Sequence, residues 1–279
     1  MVCQGRAAGH GRFGADRFDD PVAAHLLRPG ERVVVEAVRA RRPPRGLRAR
    51  LDYELVVAVT AVLVTRTVVI DESVCAAANP QVVVLGAGLD ARAWRMPELA
   101  DSHVFEVDHP SSQHDKRERI DGCTPTVRAV TFVPVDFARD TLGPALAAAG
   151  HDASVPTTWI WEGVLPYLTA TEVDSTLAEV RDRSAPGSRL IASYTPPQAL
   201  ARLGRALVGI GSRLTGGRSP WAHEPNRSHW SSQRLHGVLA RSGLTVVDDH
   251  DLRSVATQLG VDGGYANQLG RVVVAEVPR

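Results

Sequence analysis

The chain has 279 residues and a formal net charge of +1, and 44% of its residues are apolar and 23% charged. This composition is typical of a globular protein, and so small a net charge gives no general electrostatic reason to expect a nucleic-acid partner. The most apolar run, residues 55–70, is shorter than the roughly 20 residues that cross a membrane, and it carries Arg66. We therefore expect no membrane span.

The N-terminal residues and the cysteines indicate the compartment. Residues 1–17 lack the apolar core of a signal peptide. Cys3, Cys75 and Cys123 are odd in number and far apart, which argues against both a disulfide framework and a zinc site. We expect a cytoplasmic protein without a bound metal.

Residues 1–75 are predicted to form an N-terminal tail and a helical cap. Residues 1–17 have the character of a mobile tail. Asp20 followed by Pro21 is typical of a helix start, because aspartate caps helices and proline suits the first helical position. Residues 51–67 are then predicted to form one helix or a pair of helices that carries Arg66.

Residues 39–50 contain six arginines around two prolines. One interpretation is a solvated, flexible loop, and the other is a lid or substrate rim that attracts anions. RNA binding is a weaker alternative because the segment has no aromatic side chain on which a base could stack.

A short strand followed by a glycine turn is the most informative part of the sequence. Residues 82–85 are apolar and mostly β-branched, which predicts a strand. Gly86, Gly88 and Ala91 follow at once in the pattern G-x-G-x-x-A. Glycine allows the backbone to turn sharply and to approach a ligand closely.

A second strand ends on an acidic residue at the distance expected for a ribose contact. Residues 103–107 predict the strand, and Asp108 lies about 20 residues beyond Gly88. A carboxylate at this strand tip accepts hydrogen bonds from a ribose diol. The strand, turn, helix, strand and acid together predict a site for a cofactor that contains a nucleoside.

The remainder of the sequence alternates strands and helices. Further strands are predicted within residues 126–137, 157–162, 188–194, 244–250 and 270–277, and helices within residues 140–150, 171–184 and 231–241. This order predicts an α/β fold with a Rossmann-like, doubly wound, mostly parallel seven-stranded sheet. The last two strands are expected to pair at one sheet edge.

The predicted domain organisation places a helical cap before the core and an insertion within it. We expect residues 1–75 to form the tail and cap, and residues 76–195 the cofactor-binding core. Residues 196–235 are then a late insertion or substrate cap, and residues 236–279 complete the core sheet.

Two cofactors fit a glycine turn of this kind. A dinucleotide would place its pyrophosphate on the turn, and Asp90 opposes that because its carboxylate repels phosphate. S-adenosylmethionine carries no phosphate, and its zwitterionic tail needs a cation and an anion. Arg66, before the first strand, and Glu162, at the tip of the fourth, are the candidates.

Three motifs resemble those of a known family. The sequences VVVLGAGLDARAWRM, FEVDHP and TTWIWEGVLPYL, together with DRFDDPVAAHLL and TRTVVID, are similar to the leucine carboxyl methyltransferase family. This family is a branch of the S-adenosylmethionine-dependent methyltransferases that includes many actinobacterial enzymes of small-molecule metabolism. The resemblance covers residues 17–195, and the later residues are expected to determine the choice of substrate.

The resemblance implies a role for each matching position. Arg66 would hold the methionine carboxylate, and Glu162 would lie near the amino group. The implied cofactor-binding residues are Arg66, Gly86, Ala87, Gly88, Asp108, Asp136, Phe137 and Glu162, with Asp108 on the ribose and Asp136 and Phe137 beside the adenine. Arg92 and Arg95, also in the motif, are expected to pair with neighbouring acids.

The acceptor determines which catalytic groups are needed. A carboxylate acceptor is already ionised at pH 7 and needs a cationic clamp but no base. A phenol would benefit from a base such as histidine. The catalytic candidates are Tyr167, His223 and His229.

We predict O-methylation of a small metabolite, with a carboxylate acceptor favoured over a hydroxyl and secondary metabolism as its setting. A homodimer is possible, and neither nucleic acid nor membrane is expected as a partner. The alternatives are a protein that binds S-adenosylmethionine or RNA without catalysis, and a nicotinamide-dependent oxidoreductase.

Overall fold

A computed structural model describes residues 1–14, 17–137, 139–196, 228, 230–261 and 270–278. Seven strands form one sheet: β1 Gln81–Leu85, β2 His103–Asp108, β3 Ala129–Pro134, β4 Thr157–Trp161, β5 Arg189–Tyr194, β6 Thr245–Asp251 and β7 Arg271–Glu276. Their spatial order is β3-β2-β1-β4-β5-β7-β6. The strands β1 to β5 are parallel, and β7 is antiparallel to both of its neighbours. The prediction of a mostly parallel, seven-stranded α/β sheet is confirmed.

Helices cover both faces of the sheet. They are α1 Val2–Gly9, α2 Pro29–Arg39, α3 Leu47–Ala77, α4 Arg92–Arg95, α5 Pro110–Arg119, α6 Leu142–Ala148, α7 Ala170–Asp182, α8 Ser232–Arg241 and α9 Leu252–Gln258. Two single turns of 3₁₀ helix, Pro97–Leu99 and Leu165–Tyr167, follow β1 and β4.

Successive residues of each strand face two different apolar cores, as the two-residue period of a strand requires. Val82 and Val84 of β1 face the core formed with α1, α2, α3 and α9. Val83 and Leu85 face the core formed with α6, α7 and α8. All five residues of β1 are buried, which explains why the strand reads as a continuous apolar run in the sequence.

The N-terminal region differs from its prediction. Residues 2–9 form the helix α1, in which Cys3, Ala7 and Ala8 are buried, so the prediction of a mobile tail was wrong. Gly5 and Gly9 allow α1 to lie directly against Leu63 and Val64 of α3. Small residues four positions apart thus give close helix packing in place of a long apolar stripe.

Two further elements also differ from their predictions. The residues after Asp20 form turns and not a helix, and the Asp20 carboxylate accepts a hydrogen bond from the Ala23 amide at 2.9 Å. Helix α9, between the last two strands, was not predicted. The prediction that these two strands pair at one sheet edge is confirmed, with β6 outermost and β7 inside it. The predicted late insertion lies mostly outside the described residues.

Helix α3 is a single helix of 31 residues. By length and composition it is apolar enough to cross a membrane, but 61% of its most apolar window is buried within the protein. Its length and burial are those of a core helix that packs along the sheet. A short connection, residues 78–80, leads from its end into β1.

A buried ion pair joins α5 to the sheet. The Nζ of Lys116 lies 2.6 Å from the carboxylate of Glu106 on β2, and each side chain is only 1% exposed. The same Nζ lies 5.0 Å from the centroid of the Trp94 ring. Burial raises the pKa of Glu106 to about 7, although Lys116 acts in the opposite direction.

Replacing Lys116 should therefore cost stability in a pH-dependent way. In Lys116→Met, an uncompensated Glu106 carboxylate stays buried, so we expect the free energy of unfolding to fall by about 3–5 kcal/mol at pH 8. The pKa of Glu106 is higher in the folded than in the unfolded chain, so its contribution becomes less favourable as the pH rises between the two values. The loss should accordingly shrink towards pH 5.

Urea unfolding at both pH values measures this effect. His114→Ala on the same helix is the matched control, because its side chain is 78% exposed and should change stability little. A loss of equal size at pH 5 and pH 8 would contradict the assignment of a buried, titrating Glu106.

Candidate cofactor site

The register of the central strands brings the predicted site residues to one edge of the sheet. Leu85 at the end of β1 pairs with Val107 of β2, and Val84 pairs with Ile160 of β4. Three residues therefore lie side by side at the carboxyl edge: Gly86 and Glu162, which follow β1 and β4, and Asp108, which is the last residue of β2. This edge is where open α/β sheets bind their ligands.

The glycine turn is built from two residues in the left-handed region. Gly86 has φ 67° and Gly88 has φ 48°. The amides of Gly86 and Ala87 donate to the carbonyl of Val107 at 2.8 and 3.0 Å, which ties the turn to β2. A Cβ on Gly86 would lie 2.6 Å from Cγ2 of Val164, whereas a Cβ on Gly88 would meet nothing closer than 4.0 Å. The open side of the turn is at Gly88.

Asp108 closes this turn from the neighbouring strand. One carboxylate oxygen accepts a hydrogen bond from the Gly88 amide, and the other accepts from the His109 amide at 2.6 Å. Asp136 and Phe137 are half-buried beyond the end of β3, and Asp136 lies 4.0 Å from the His109 ring. Helix α6 begins only after Thr141, so Asp136 does not cap it.

Glu162 and Arg66 form an ion pair across the site. Arg66 extends from the middle of α3, and its Nη2 lies 2.7 Å from Oε1 of Glu162. The second oxygen of Glu162 accepts a hydrogen bond from Nη1 of Arg92 at 2.9 Å. Gly163 has φ 72° and turns the chain directly after Glu162. The sequence separation of 96 residues gives no hint of the Arg66–Glu162 contact.

Arg66 and Glu162 belong to a larger group of paired charges, which we call the buried charge cluster. It contains four arginines and four carboxylates with side-chain exposures of 16% or less: Arg6, Arg66, Arg92, Arg95, Asp20, Asp71, Asp90 and Glu162. Its formal charges sum to zero. The expectation that Arg92 and Arg95 pair with neighbouring acids is confirmed.

Arg92 is the centre of the cluster. Its guanidinium pairs with Asp71 at 2.7 Å, with Glu162 at 2.9 Å and with Asp90, and its side chain is 2% exposed. Burial opposes the ionisation of Glu162, but Arg66, Arg92 and Arg6 outweigh it and hold the pKa of this carboxyl well below its ordinary value. Glu162 is therefore a carboxylate at every pH near neutrality.

The structure weakens one argument made from the sequence. Asp90 was expected to repel a phosphate at the turn, but its carboxylate is buried and paired with Arg92. Its charge is therefore largely compensated before any ligand binds. Asp90 instead serves the turn itself, because its Oδ1 accepts a hydrogen bond from the Arg92 amide at 2.8 Å.

The structure describes one of the three catalytic candidates, Tyr167. Tyr167 is half-buried in the 3₁₀ turn that follows Glu162, at the carboxyl edge. His223 and His229 lie outside the described residues. Another histidine, His236 on α8, contacts Asp249 at 2.8 Å, and the same carboxylate accepts a hydrogen bond from the Tyr194 hydroxyl at 2.7 Å.

Three members of the buried charge cluster were missed from the sequence: Arg6, Asp20 and Asp71. Each lies in a different segment before β1, and each acquires its role only through pairing with residues far along the chain. The available signal for Arg6 was the small-residue helix around it, with Gly5 and Gly9 flanking the arginine.

A fold with this strand order, with a glycine turn after β1 and an acid at the end of β2, is typical of proteins that bind a nucleoside-containing cofactor at the carboxyl edge. The model of the leucine carboxyl methyltransferase family matches residues 1–181. The chain therefore belongs to the leucine carboxyl methyltransferase family.

Individual relatives agree with this assignment. A candidate S-adenosyl-L-methionine-dependent methyltransferase of Mycobacteroides abscessus is 39% identical over 165 residues, 55% of this chain and 54% of the relative. One from Streptomyces coelicolor is 42% identical over 138 residues, 48% of each chain. The chain thus spans about half the length of these curated relatives. The solved structure of a candidate methyltransferase from Thermobifida fusca shares the fold, with a TM-score of 0.58 at 17% identity over 100% of this chain and 95% of that one.

The two glycines of the turn should respond differently to alanine. Gly86→Ala adds a left-handed alanine and a clash with Val164, so we expect the free energy of unfolding to fall by roughly 2–5 kcal/mol. Gly88→Ala adds only the backbone strain, about 1–2 kcal/mol. Urea unfolding of both variants measures the difference, and equal losses would contradict the geometry of this turn.

Proposed function

We propose that the protein is an S-adenosylmethionine-dependent methyltransferase. The observation that carries the proposal is the Arg66–Glu162 ion pair beside the glycine turn. The amino-acid tail of S-adenosylmethionine has one carboxylate and one ammonium group. An arginine and a glutamate held next to each other provide one opposite charge for each of them.

The two arginines on Glu162 are suited to different tasks. Arg92 is 2% exposed and contacts three carboxylates, so it stays in place and fixes Glu162. Arg66 is 16% exposed, and its only ion-pair partner among the described residues is Glu162. We propose that Arg66 turns from Glu162 to the incoming methionine carboxylate, while Glu162 receives the ammonium group.

The remaining residues of the edge fit the nucleoside. The open space at Gly88 admits a ligand against the backbone, and Asp108 presents a carboxylate to the ribose hydroxyls. Asp136 and Phe137 are proposed to contact the adenine, following the family resemblance. When bound, the cofactor supplies an electrophilic methyl group on a sulfonium, and the protein aligns the acceptor and excludes water.

A nicotinamide-dependent oxidoreductase fits the site less well. A pyrophosphate on the glycine turn would meet the carboxylates of Asp108 and Glu162. The arginines nearby are already neutralised, since the charges of the buried charge cluster sum to zero. Among the described residues, every arginine of the cluster is already paired with a carboxylate, and two phosphates would need more than the one charge that Arg66 can release.

We propose a carboxylate as the methyl acceptor because exposed arginines lie at the start of α3 and directly before it, beyond the carboxyl edge of the sheet. Arg66 lies level with the carboxyl edge, and the 19 residues before it, back to Leu47, extend roughly 28 Å further at about 1.5 Å per residue. Four exposed arginines at this end make no side-chain hydrogen bond or ion pair within the described part of the chain: Arg41, Arg42, Arg45 and Arg48. They support an anion-attracting rim.

The catalytic roles follow from the acceptor. A carboxylate attacks the methyl group directly, so Tyr167 would only orient it. A phenol would need a base, for which His223 and His229 remain the proposed residues. A small metabolite of secondary metabolism is the proposed acceptor class, and assembly as a homodimer stays a proposal.

If Glu162 binds the amino-acid tail of the cofactor, a substitution at this residue should weaken ligands that have the tail and leave ligands without it unaffected. Glu162→Gln removes the charge opposite the ammonium group, so S-adenosylhomocysteine should bind roughly 10- to 100-fold more weakly, about 1.5–3 kcal/mol. Methylthioadenosine, which lacks the amino-acid tail, should bind as it does to the wild type. Calorimetric titration measures both affinities.

Asp108→Ala is the matched control, because it should weaken both ligands by a similar factor. Equal weakening of the two ligands by Glu162→Gln would place Glu162 away from the tail. A wild-type protein that binds neither ligand would contradict the proposed cofactor.

A carboxylate acceptor predicts how the methylated product responds to alkali and how the reaction rate depends on pH. With methyl-labelled cofactor and a panel of aliphatic acids and phenols, label should appear as methyl esters that alkali hydrolyses. The rate should be nearly flat from pH 6 to pH 9, because a carboxylate is ionised throughout. Alkali-stable ethers, formed at a rate that rises with pH, would instead establish a phenol acceptor.

A further inference from the structure

One residue of the N-terminal helix contacts the glycine turn directly. Nη2 of Arg6, on α1, donates a hydrogen bond to the carbonyl oxygen of Leu89 at 2.5 Å, across 83 positions of sequence. Leu89 follows Gly88 and precedes Asp90. The Arg6 side chain is 4% exposed, so this contact lies in the interior of the protein.

The packing of α1 leaves Arg6 little freedom. Gly5 and Gly9 place the α1 backbone against Leu63 and Val64 of α3, with no room for a Cβ at either glycine. The backbone that carries Arg6 is thereby held against the same helix that carries Arg66.

Asp20 is the anionic partner of Arg6. The Nε of Arg6 lies 2.9 Å from Oδ2 of Asp20, whose side chain is completely buried. The other oxygen of Asp20 accepts from the Ala23 amide at 2.9 Å. Asp20 thus compensates the buried charge of Arg6, and the hydrogen bond from the outer nitrogen fixes the Leu89 carbonyl.

We propose that Arg6 is a positioning residue of the cofactor turn, through which helix α1 holds the Gly88–Asp90 segment in its binding conformation. The inference rests on the proposed function, because it concerns the same site. A turn with two glycines has more conformational freedom than one with side chains, and ordering it on binding would cost affinity. A hydrogen bond from a buried, fixed arginine supplies that order before the ligand arrives.

The test must separate loss of the turn contact from loss of stability. Within the part of the chain that the structure describes, Arg6→Met leaves the buried Asp20 with Arg95, at 3.6 Å, as its one cationic partner, so it is expected to lower the melting temperature. The double variant Arg6→Met with Asp20→Asn removes both charges and should recover most of the melting temperature. Asp20→Asn alone retains the donor to Leu89.

Calorimetric titration with S-adenosylhomocysteine measures how well the turn of each variant binds the ligand. The titrations are made below the melting temperature of every variant. We expect the double variant to bind about tenfold more weakly than the wild type despite its restored stability. Asp20→Asn should stay within about twofold of the wild type, and Arg6→Lys should recover part of the affinity, because it keeps one donor.

Wild-type affinity in the double variant would overturn the proposal and show Arg6 to be a stabilising residue only. A wild-type protein that does not bind S-adenosylhomocysteine would instead contradict the proposed function itself. The two failures are thus distinguished by the wild-type titration.

Discussion

The pairing of buried charges is the constraint on which this structure depends. Charges taken out of water must be compensated, and removing one partner of a buried pair is far more costly than removing an exposed charge. The buried charge cluster satisfies this requirement by drawing its arginines and carboxylates from α1, the segment after it that holds Asp20, α3, the glycine turn, α4 and the residue that follows β4. None of these elements can shift without unpairing a charge. The N-terminal helices are therefore part of the cofactor site and not an appendage to it.

Local patterns in the sequence were sufficient to predict most of the fold and the positions of the glycine turn and of Asp108. The β-branched run before Gly86 and the acid that ends β2 are signals within short windows, and the structure places both as expected. Arg6 and Asp20 gave no such signal, because their meaning lies in a mutual contact and in a hydrogen bond to Leu89. Residues 1–17 were assigned to a tail for the same reason: their helix packs through glycine and alanine, without an apolar stripe.

Pairing within the buried charge cluster changes the interpretation of Asp90. From the sequence, Asp90 was a charge that repels phosphate, whereas in the structure Arg92 compensates it and the carboxylate caps the turn. Membership of the leucine carboxyl methyltransferase family and the neutral cluster now favour a phosphate-free cofactor more strongly than Asp90 does. The proposed carboxylate acceptor rests on other residues, the exposed arginines at and before the start of α3.

A crystal structure of the complex with S-adenosylhomocysteine would show directly whether Arg66 and Glu162 bind the amino-acid tail of the cofactor. We predict that the ligand carboxylate lies on Arg66 and its amino group on Glu162, so that the 2.7 Å contact between these two side chains is broken. The 2.9 Å contact between Arg92 and Glu162 should remain. An intact Arg66–Glu162 pair, with the amino-acid tail bound elsewhere, would show that these two residues do not bind the tail.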